Sequence, residues 1–389
     1  PQPNPQAGAV KLTMILSGAV FALMMVFGLI MRAAQGQWIE LDPTLFYQIL
    51  TAHGAGMVGT AALSGAAIMW YFCGRYVVLT AGIFWAFLGL FLLGVVLILG
   101  AIFIGGFGGA WTFLFPLPAM SGGAWEAGAA AAFMLGYVSI GVGFLLYYLE
   151  LGRQIHARYG SLARALGWNL ILGREDNNPP PPTIVAAAAV TIFNSIGIIL
   201  GAAVLVASLV HLLVPGFEVN ALLAKNLIYF FGHVFINASI YMAVTAVYEI
   251  LPEYTGRPWK SNRVFAIAWN AVLIFVMAVY WHHLLQDVVM PPWMLVVGQL
   301  VASDIENAVS WLFIADRLYQ LPLGVVGIAV GIVLLPDLTR RLRADDDTGA
   351  REGLSRAGEF SLLLTLPSAA AFIAVPVPLV SVLYERGAT

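Results

Sequence analysis

The stretch FFGHVFINASIYMAVTAVYEILPE (residues 230–253) decides the class of fold. From Phe230 to Tyr248 it carries no Asp, Glu, Lys or Arg. With the apolar residues just before it, it is long enough to cross a hydrocarbon layer ~30 Å thick as a helix at about 1.5 Å per residue. It is not uniformly greasy. His233, Asn237, Tyr241, Thr245, Tyr248 and Glu249 follow one another at steps mostly of three and four, which keeps them near one helical face. Such a stripe reads either as a proton-delivery path with Glu249 at its mouth or as a helix-packing face satisfied by hydrogen bonds.

The same kind of run recurs outward from this one. Spans are expected at roughly 12–31, 50–72, 77–104, 127–149, 183–212, 226–251 and 263–285. The chain has 389 residues, of which 61% are apolar and 10% charged, against roughly 25% charged in a soluble domain. The fold class is all-α, a polytopic transmembrane helical bundle of about 7–8 spans with one or two further apolar segments in the tail. The alternating pattern of a membrane barrel is absent. The single cysteine, Cys73, excludes an internal disulfide and a cysteine-cluster metal site. The chain opens PQPNPQAGAVK without Met, as a fragment would. Its first apolar run is long enough to stay as a span rather than be cleaved.

Lys11, Arg75, Arg153, Arg158, Arg164, Arg174, Arg257, Lys260 and Arg263 fall on the N-terminal side of the bundle, and only Arg32 and Lys225 on the other. This bias predicts a cytoplasmic N-terminus in a bacterial inner membrane. His53 then lies early in span two, His233 early in span six, and His282 and His283 late in span seven. Four histidines from three spans come to one depth near the outer face. A lone membrane histidine is ordinarily a polar residue satisfied between helices or one at the interface, which is the reading for His211 at the outer end of span five, and His156 in the basic cytoplasmic connection is solvated. The set of four reads as a site, because ionisable groups inside spans are costly and imidazole is a strong ligand for copper, iron and haem. Neighbouring residues on a helix point about 100° apart, so the tandem pair reaches one metal only if it sits against the helix and another helix, carrying His233, adds a ligand.

FYQILTAHGAG (46–56), FFGHVFINASIYMAVTAVYEILPE (230–253) and YWHHLLQDVVMPPW (280–293) together resemble subunit I of the haem-copper oxidase superfamily, nearest its B-type branch, over about residues 10–300. The resemblance implies an oxidoreductase reducing oxygen or nitric oxide. It implies that His233, His282 and His283 bind the active-site copper (iron in a nitric oxide reductase) and that His53 is an axial ligand of a low-spin haem facing a high-spin one. It also implies membrane lipids and a second oxidase subunit, cytochrome c or a cupredoxin as partners, with no nucleic acid.

Two departures stand out. Oxidases of this branch carry a tyrosine four residues after the first copper histidine, where this chain has Asn237. C-type oxidases place it six residues before the tandem pair, here Val276, and nitric oxide reductases put a glutamate at the first of these positions. Asn237 supplies neither the electron nor the proton of a phenol, which favours nitric oxide reduction. Asn237 and Tyr280 are the candidate catalytic side chains beside the metal. Second, the later H-x-H pair that completes both haems in the family is missing, since no histidine follows His283.

The composition changes after Ser303. Residues 304–389 hold seven basic and ten acidic residues, 17 of the chain's 38 charges in 86 positions. MLVVGQLVAS (294–303) begins an eighth span and meets Asp304 and Glu306 too soon to cross. From about 294 on, with ADRLYQLPLGVVGIAVGIVLLPDL (315–338), the tail resembles the lipid II flippases of peptidoglycan synthesis (MurJ/MviN). The chain therefore reads as a composite: an oxidase-like bundle over 1–303 and a flippase-like fragment over 304–389. Arg317 is the nearest candidate for a phosphate-binding arginine, or equally a snorkelling helix-end residue. The alternative function is a fragment of a peptidoglycan-precursor transporter, or an inactive composite. Four histidines at one depth are of no use to a flippase.

Overall fold

The computed structural model of the chain describes residues 7–214, 216–284 and 329–374. They are helices and connections, with no strand among the described residues. The long helices are α1 (Ala7–Gln35), α2 (Pro43–Cys73), α3 (Ala81–Phe103) and α4 (Ala127–Tyr159). Two short helices follow, α5 (Leu162–Ala165) and α6 (Trp168–Ile171). Then come α7 (Pro182–Leu213), α8 (Ala221–Thr255) and α9 (Asn262–Ala278), which runs into a 3-10 turn at Tyr280–Leu284. Six of these (α1, α2, α3, α4, α7 and α8) are long and apolar enough to cross a membrane. They coincide with the first six expected spans, and α9 with its 3-10 turn occupies the seventh. The chain divides into two compact units, Pro1–Glu249 with Lys260–Leu284, and Ile250–Trp259 with Leu285–Thr389. The expected eighth span and the junction near 294–306 lie outside the described residues.

Local chemistry sets the helix ends. Asp42 caps α2, its Oδ1 accepting from the Thr44 and Leu45 amides at 2.9 and 3.2 Å, with Pro43 in the first turn. Gly160 ends α4 at φ 77°, a left-handed backbone that suits glycine. Pro181 and Pro182 open α7, and Ser261 caps α9 through the Val264 amide at 3.3 Å.

In the first unit the helices pack closely at glycines. A Cβ at Gly94 of α3 would sit 2.4 Å from the Gly136 carbonyl of α4, and one at Gly65 of α2 would sit 2.7 Å from the Ser239 carbonyl of α8. Small residues allow such backbone approach where no hydrophobic effect draws helices together. Around these contacts lies an aromatic core of Trp70, Phe84, Phe87, Phe144, Tyr147 and Tyr148. At the ends of α2, α4 and α8, on the side where α1 begins, buried carboxylates gather donors. Glu150 accepts from the Thr80 amide at 3.0 Å and from Arg153 at 2.8 Å.

On that same side, α5 and α6 are tied to the segment that follows them. Arg164 clasps Asp176 through Nε at 3.0 Å and through Nη2, and Asn169 Nδ2 and the Asn178 amide add bonds at 3.1 and 3.0 Å. The Arg164 hydrogen bonds lead the effects that hold the Asp176 carboxyl down at about 2. In the second unit, Ala329–Arg343 (α10) and Asp347–Ala374 (α11) form a helical hairpin. Arg341 joins it to the turn by bonding Asp337 at 2.8 Å and Asp346 at 3.4 Å.

Two outcomes are expected. Gly94→Val should disrupt the α3–α4 contact and lower the unfolding temperature of the detergent-solubilised protein by an amount matching ~1–3 kcal/mol or more of overpacking, while Gly89→Val, where a Cβ meets nothing, should not. Asp176 is depressed from 3.8 to about 2, so its contribution to stability is full above the unfolded value and lost as pH falls through the folded one. Asp176→Asn should flatten the dependence of unfolding temperature on pH between about 4 and about 2.

Candidate functional site

A cavity of about 830 Å³ opens among α1, α2, α3, α4, α7 and α8, almost wholly apolar in lining. Its wall includes Met24, Phe27, Gly56, Ile98, Tyr137 and Ile198. His233, Asn237 and His283 also line it. The connection between α3 and α4 folds over it, with Trp111–Leu114 on the wall. That connection is held by the Ala110 amide donating to Thr51 Oγ1 at 3.0 Å and by Tyr137 OH donating to the Trp111 carbonyl at 2.8 Å.

His233 of α8 and His283 of the 3-10 turn meet here. Their Nδ1 and Nε2 atoms are 3.2 Å apart, with ring centroids 5.3 Å apart. Two nitrogens at that spacing would each lie ~2.0–2.1 Å from one metal ion at an angle of about 100°, which is ordinary imidazole ligation. His282 side-chain placement lies outside the described residues. Among the described residues no cluster of three or more His, Cys, Asp or Glu side chains stands together. The Asn237 amide donates to the His233 carbonyl one turn back at 2.7 Å, so it is tied to the backbone that carries His233. Tyr280 packs edge-on against Phe230 at 5.2 Å and is not on the cavity wall.

His53 stands beside the cavity, half-buried between α1 and α2. Its Nδ1 lies 2.7 Å from the Met24 carbonyl. A carbonyl only accepts, so Nδ1 carries the proton and Nε2 keeps its lone pair. That ring, next to a large apolar cavity, fits an axial ligand of one haem. For a second haem the chain offers no histidine after His283, and the residues present do not fit a histidine-held high-spin haem.

The rest of the stripe is divided between neighbours. Tyr241 and Tyr248 of α8 bracket Trp269 of α9: Tyr241 packs edge-on at 5.3 Å, and Tyr248 OH accepts from Trp269 Nε1 at 3.1 Å. Thr245 donates to its own helix at the Met242 carbonyl, 2.6 Å away. Glu249, 9% exposed, faces a different set. It accepts from Tyr76 OH at 2.8 Å, from Thr183 Oγ1 and from Arg75 Nη1 at 3.3 Å. Burial first, and then the bond to Glu249, push the Tyr76 phenol well up. His211 bonds the Phe217 carbonyl at 2.6 Å, in the connection that follows α7, and His156 is exposed. Sequence reasoning did not find Trp269, Met24 or Gly28. A glycine inside the apolar run MMVFGLIM was the one signal available for the last of these.

The fold and site define a multi-pass membrane protein with a histidine-bearing apolar chamber. The chain matches the family described as "Cytochrome C and Quinol oxidase polypeptide I" over residues 8–375, and it belongs to that family, the haem-copper oxidase subunit I proteins. Among curated proteins it is similar to "Probable lipid II flippase MurJ" of Rhizobium tropici, 53% identical over 94 residues, which are 24% of this chain and 18% of that protein. The same protein of Rhizobium meliloti is 53% identical over 93 residues, 24% and 17% of the two chains. "Lipid II flippase MurJ" of Burkholderia cenocepacia is 35% identical over 95 residues, 24% and 18%. The chain thus spans about a fifth of the length of these relatives, and the family match runs through the junction expected at 303–304.

Replacing His233 or His283 with Ala should lower the copper retained by the purified protein at least about tenfold, the low end for disturbing a metal site. Unchanged copper content by elemental analysis would remove both residues from the ligand set.

Proposed function

We propose that this chain is the catalytic subunit of a respiratory enzyme that reduces nitric oxide or oxygen at a metal held by His233, His282 and His283, taking electrons by way of a low-spin haem on His53. The apposition of His233 and His283 on the wall of an apolar chamber, in a chain of this family, carries the reading. Metal and haem, when bound, supply the electrons and the Lewis acidity of the reaction. The chain's own residues do the rest. The apolar wall admits a small uncharged gas and excludes water. Asn237 fixes the α8 backbone at His233 and presents an amide where the oxidases of its branch have a phenol. An amide yields neither an electron nor, near neutral pH, a proton. Four-electron cleavage of dioxygen draws on such a phenol, whereas joining two nitric oxide molecules needs two electrons and two protons. Nitric oxide is therefore the better-matched substrate.

Protons reach the chamber along α8. Glu249 gathers the hydroxyls of Tyr76 and Thr183 at the end where Arg75 stands; Tyr248, Thr245 and Tyr241 lie between it and Asn237 along α8 but face other neighbours, so water would have to link Glu249 to them. The excess of Lys and Arg at that end supports a cytoplasmic side for it. Electrons come from a second oxidase subunit, a cytochrome c or a cupredoxin. A second reading covers the C-terminal part alone: with the tail motif at 315–338, the 53% identity over 94 residues supports a flippase-derived fragment from about residue 294 to 389, joined to an oxidase-like bundle.

The test is steady-state consumption of each gas by the purified, haem- and copper-loaded protein. Nitric oxide turnover at least equal to oxygen turnover is expected, and Asn237→Tyr should shift the ratio toward oxygen. Fast oxygen consumption with negligible nitric oxide turnover would overturn the assignment.

A further inference from the structure

Helices α1 and α2 touch through two reciprocal close contacts. An ideal Cβ at Gly56 of α2 would lie 2.3 Å from Met24 Sδ of α1. A Cβ at Gly28 of α1 would lie 3.2, 3.7 and 3.9 Å from Cε1, Nδ1 and Nε2 of His53. The imidazole is therefore laid against a bare stretch of α1 backbone, which a side chain would obstruct. The same stretch supplies the acceptor, because the Met24 carbonyl lies one turn before Gly28 and 2.7 Å from Nδ1. Inside a helix that carbonyl is normally engaged by the amide four residues on, here that of Gly28. An oxygen has two lone pairs, so it can take both donors.

We propose that Met24 and Gly28 are positioning residues for His53. The Met24 carbonyl fixes the Nδ1–H tautomer, and the absence of a side chain at Gly28 gives the ring its orientation, so that His53 can bind a ligand only through Nε2. The inference deepens the reading of His53 as a haem ligand and rests on it. It adds a specific pair of α1 residues that set which nitrogen binds and in which plane the ring stands. A ligating histidine whose other nitrogen is engaged is held in one tautomer and made a better base. The α1 helix, which supplies no ligand itself, would thus govern the electronic character of the site.

The experiment uses the full chain in detergent, labelled with 15N-histidine, with the His53 signals assigned by their loss in His53→Gln. Protonated and bare imidazole nitrogens resonate far apart, so the tautomer is read directly. In the unsubstituted protein His53 should show a protonated Nδ1 and a bare Nε2. Gly28→Val should lose that pattern for His53 alone. Gly28→Ala, whose methyl asks the ring to shift by only a few tenths of an ångström, should keep it with a small shift. Gly56→Ala disturbs α1–α2 packing through Met24 without meeting the ring and should keep it, as should Gly18→Val, where a Cβ meets nothing. A mixed or Nε2–H tautomer in the unsubstituted protein, or an unchanged tautomer in folded Gly28→Val, overturns the proposal. Should Gly28→Val fail to fold, the unsubstituted tautomer and the Gly28→Ala and Gly56→Ala shifts decide alone.

Haem loading is a separate arm. The low-spin absorption band and its midpoint potential should move in Gly28→Ala and stay put in Gly18→Val. An unsubstituted protein that takes up no haem while showing the Nδ1–H tautomer would overturn the haem reading and leave the positioning of His53 standing.

Discussion

A polar group inside a hydrocarbon layer has only the protein to bond to, and that constraint organises this bundle. Backbone groups are met by making helices. Side-chain hydroxyls are met by folding back onto their own helix, as Thr13 does on Ala9, Thr60 on Gly56 and Ser239 on Phe235. Others reach across to a neighbour's carbonyl: Ser139 to Leu90 and Tyr147 to Ala66. The second kind needs helices close enough to touch, which the glycines at 94, 136 and 65 permit. A few buried atoms, Ser17 Oγ, Thr191 Oγ1 and Asn194 Oδ1, have no hydrogen-bond partner among the described residues. They are few against the many that are satisfied, so the packing of the first unit is closely determined.

That determination is what places α8. A Cβ at Gly65 would strike its backbone at Ser239, and Cβ atoms at Gly197 and Gly201 of α7 would strike Val234 and Phe231. All three contacts lie within eight residues of His233 along the chain. The histidine thus projects from a helix clamped on two sides, while on the third side the apolar chamber is left open. These steric contacts hold the α8 backbone at His233, and the Asn237 amide adds a bond to its carbonyl.

Periodicity and span length located each helix, though not its ends: α2 begins at Pro43 against an expected 50 and α4 runs on to Tyr159 against 149, because the requirement to cross an apolar layer fixes the run inside it and not how far the helix continues beyond. The joint placement of His233 and His283 was legible for the same reason: depth along a helix is fixed by residue count, so matched depth follows from arithmetic on the chain. Azimuth was less legible. Tyr248 and Glu249 are neighbours in sequence, and the stripe reading put them on one path. About 100° of helical rotation sends Tyr248 toward Trp269 of α9 and Glu249 toward Tyr76 and Thr183. Which neighbour lies in each direction is a property of the packed bundle. The Met24 carbonyl is a further case, since a backbone acceptor has no signature in sequence at all.

The contact between His233 and His283 joins these threads. At 3.2 Å, Nδ1 of one ring and Nε2 of the other can share one proton, one ring donating and the other accepting. Two lone pairs cannot face each other at that distance, and neither can two N–H groups. The pair is therefore stable either with a single proton between the rings or with a cation in its place. Helix packing fixes where His233 stands, because α8 is clamped by Gly65, Gly197 and Gly201. On the proposed reading a metal ion would take the place of the proton between the two nitrogens, each ring keeping its N–H at its other nitrogen. Binding a metal by displacing a proton from deprotonatable ligands is the general rule. In a membrane interior, where rearranging helices would expose unsatisfied backbone, it is also the least costly route.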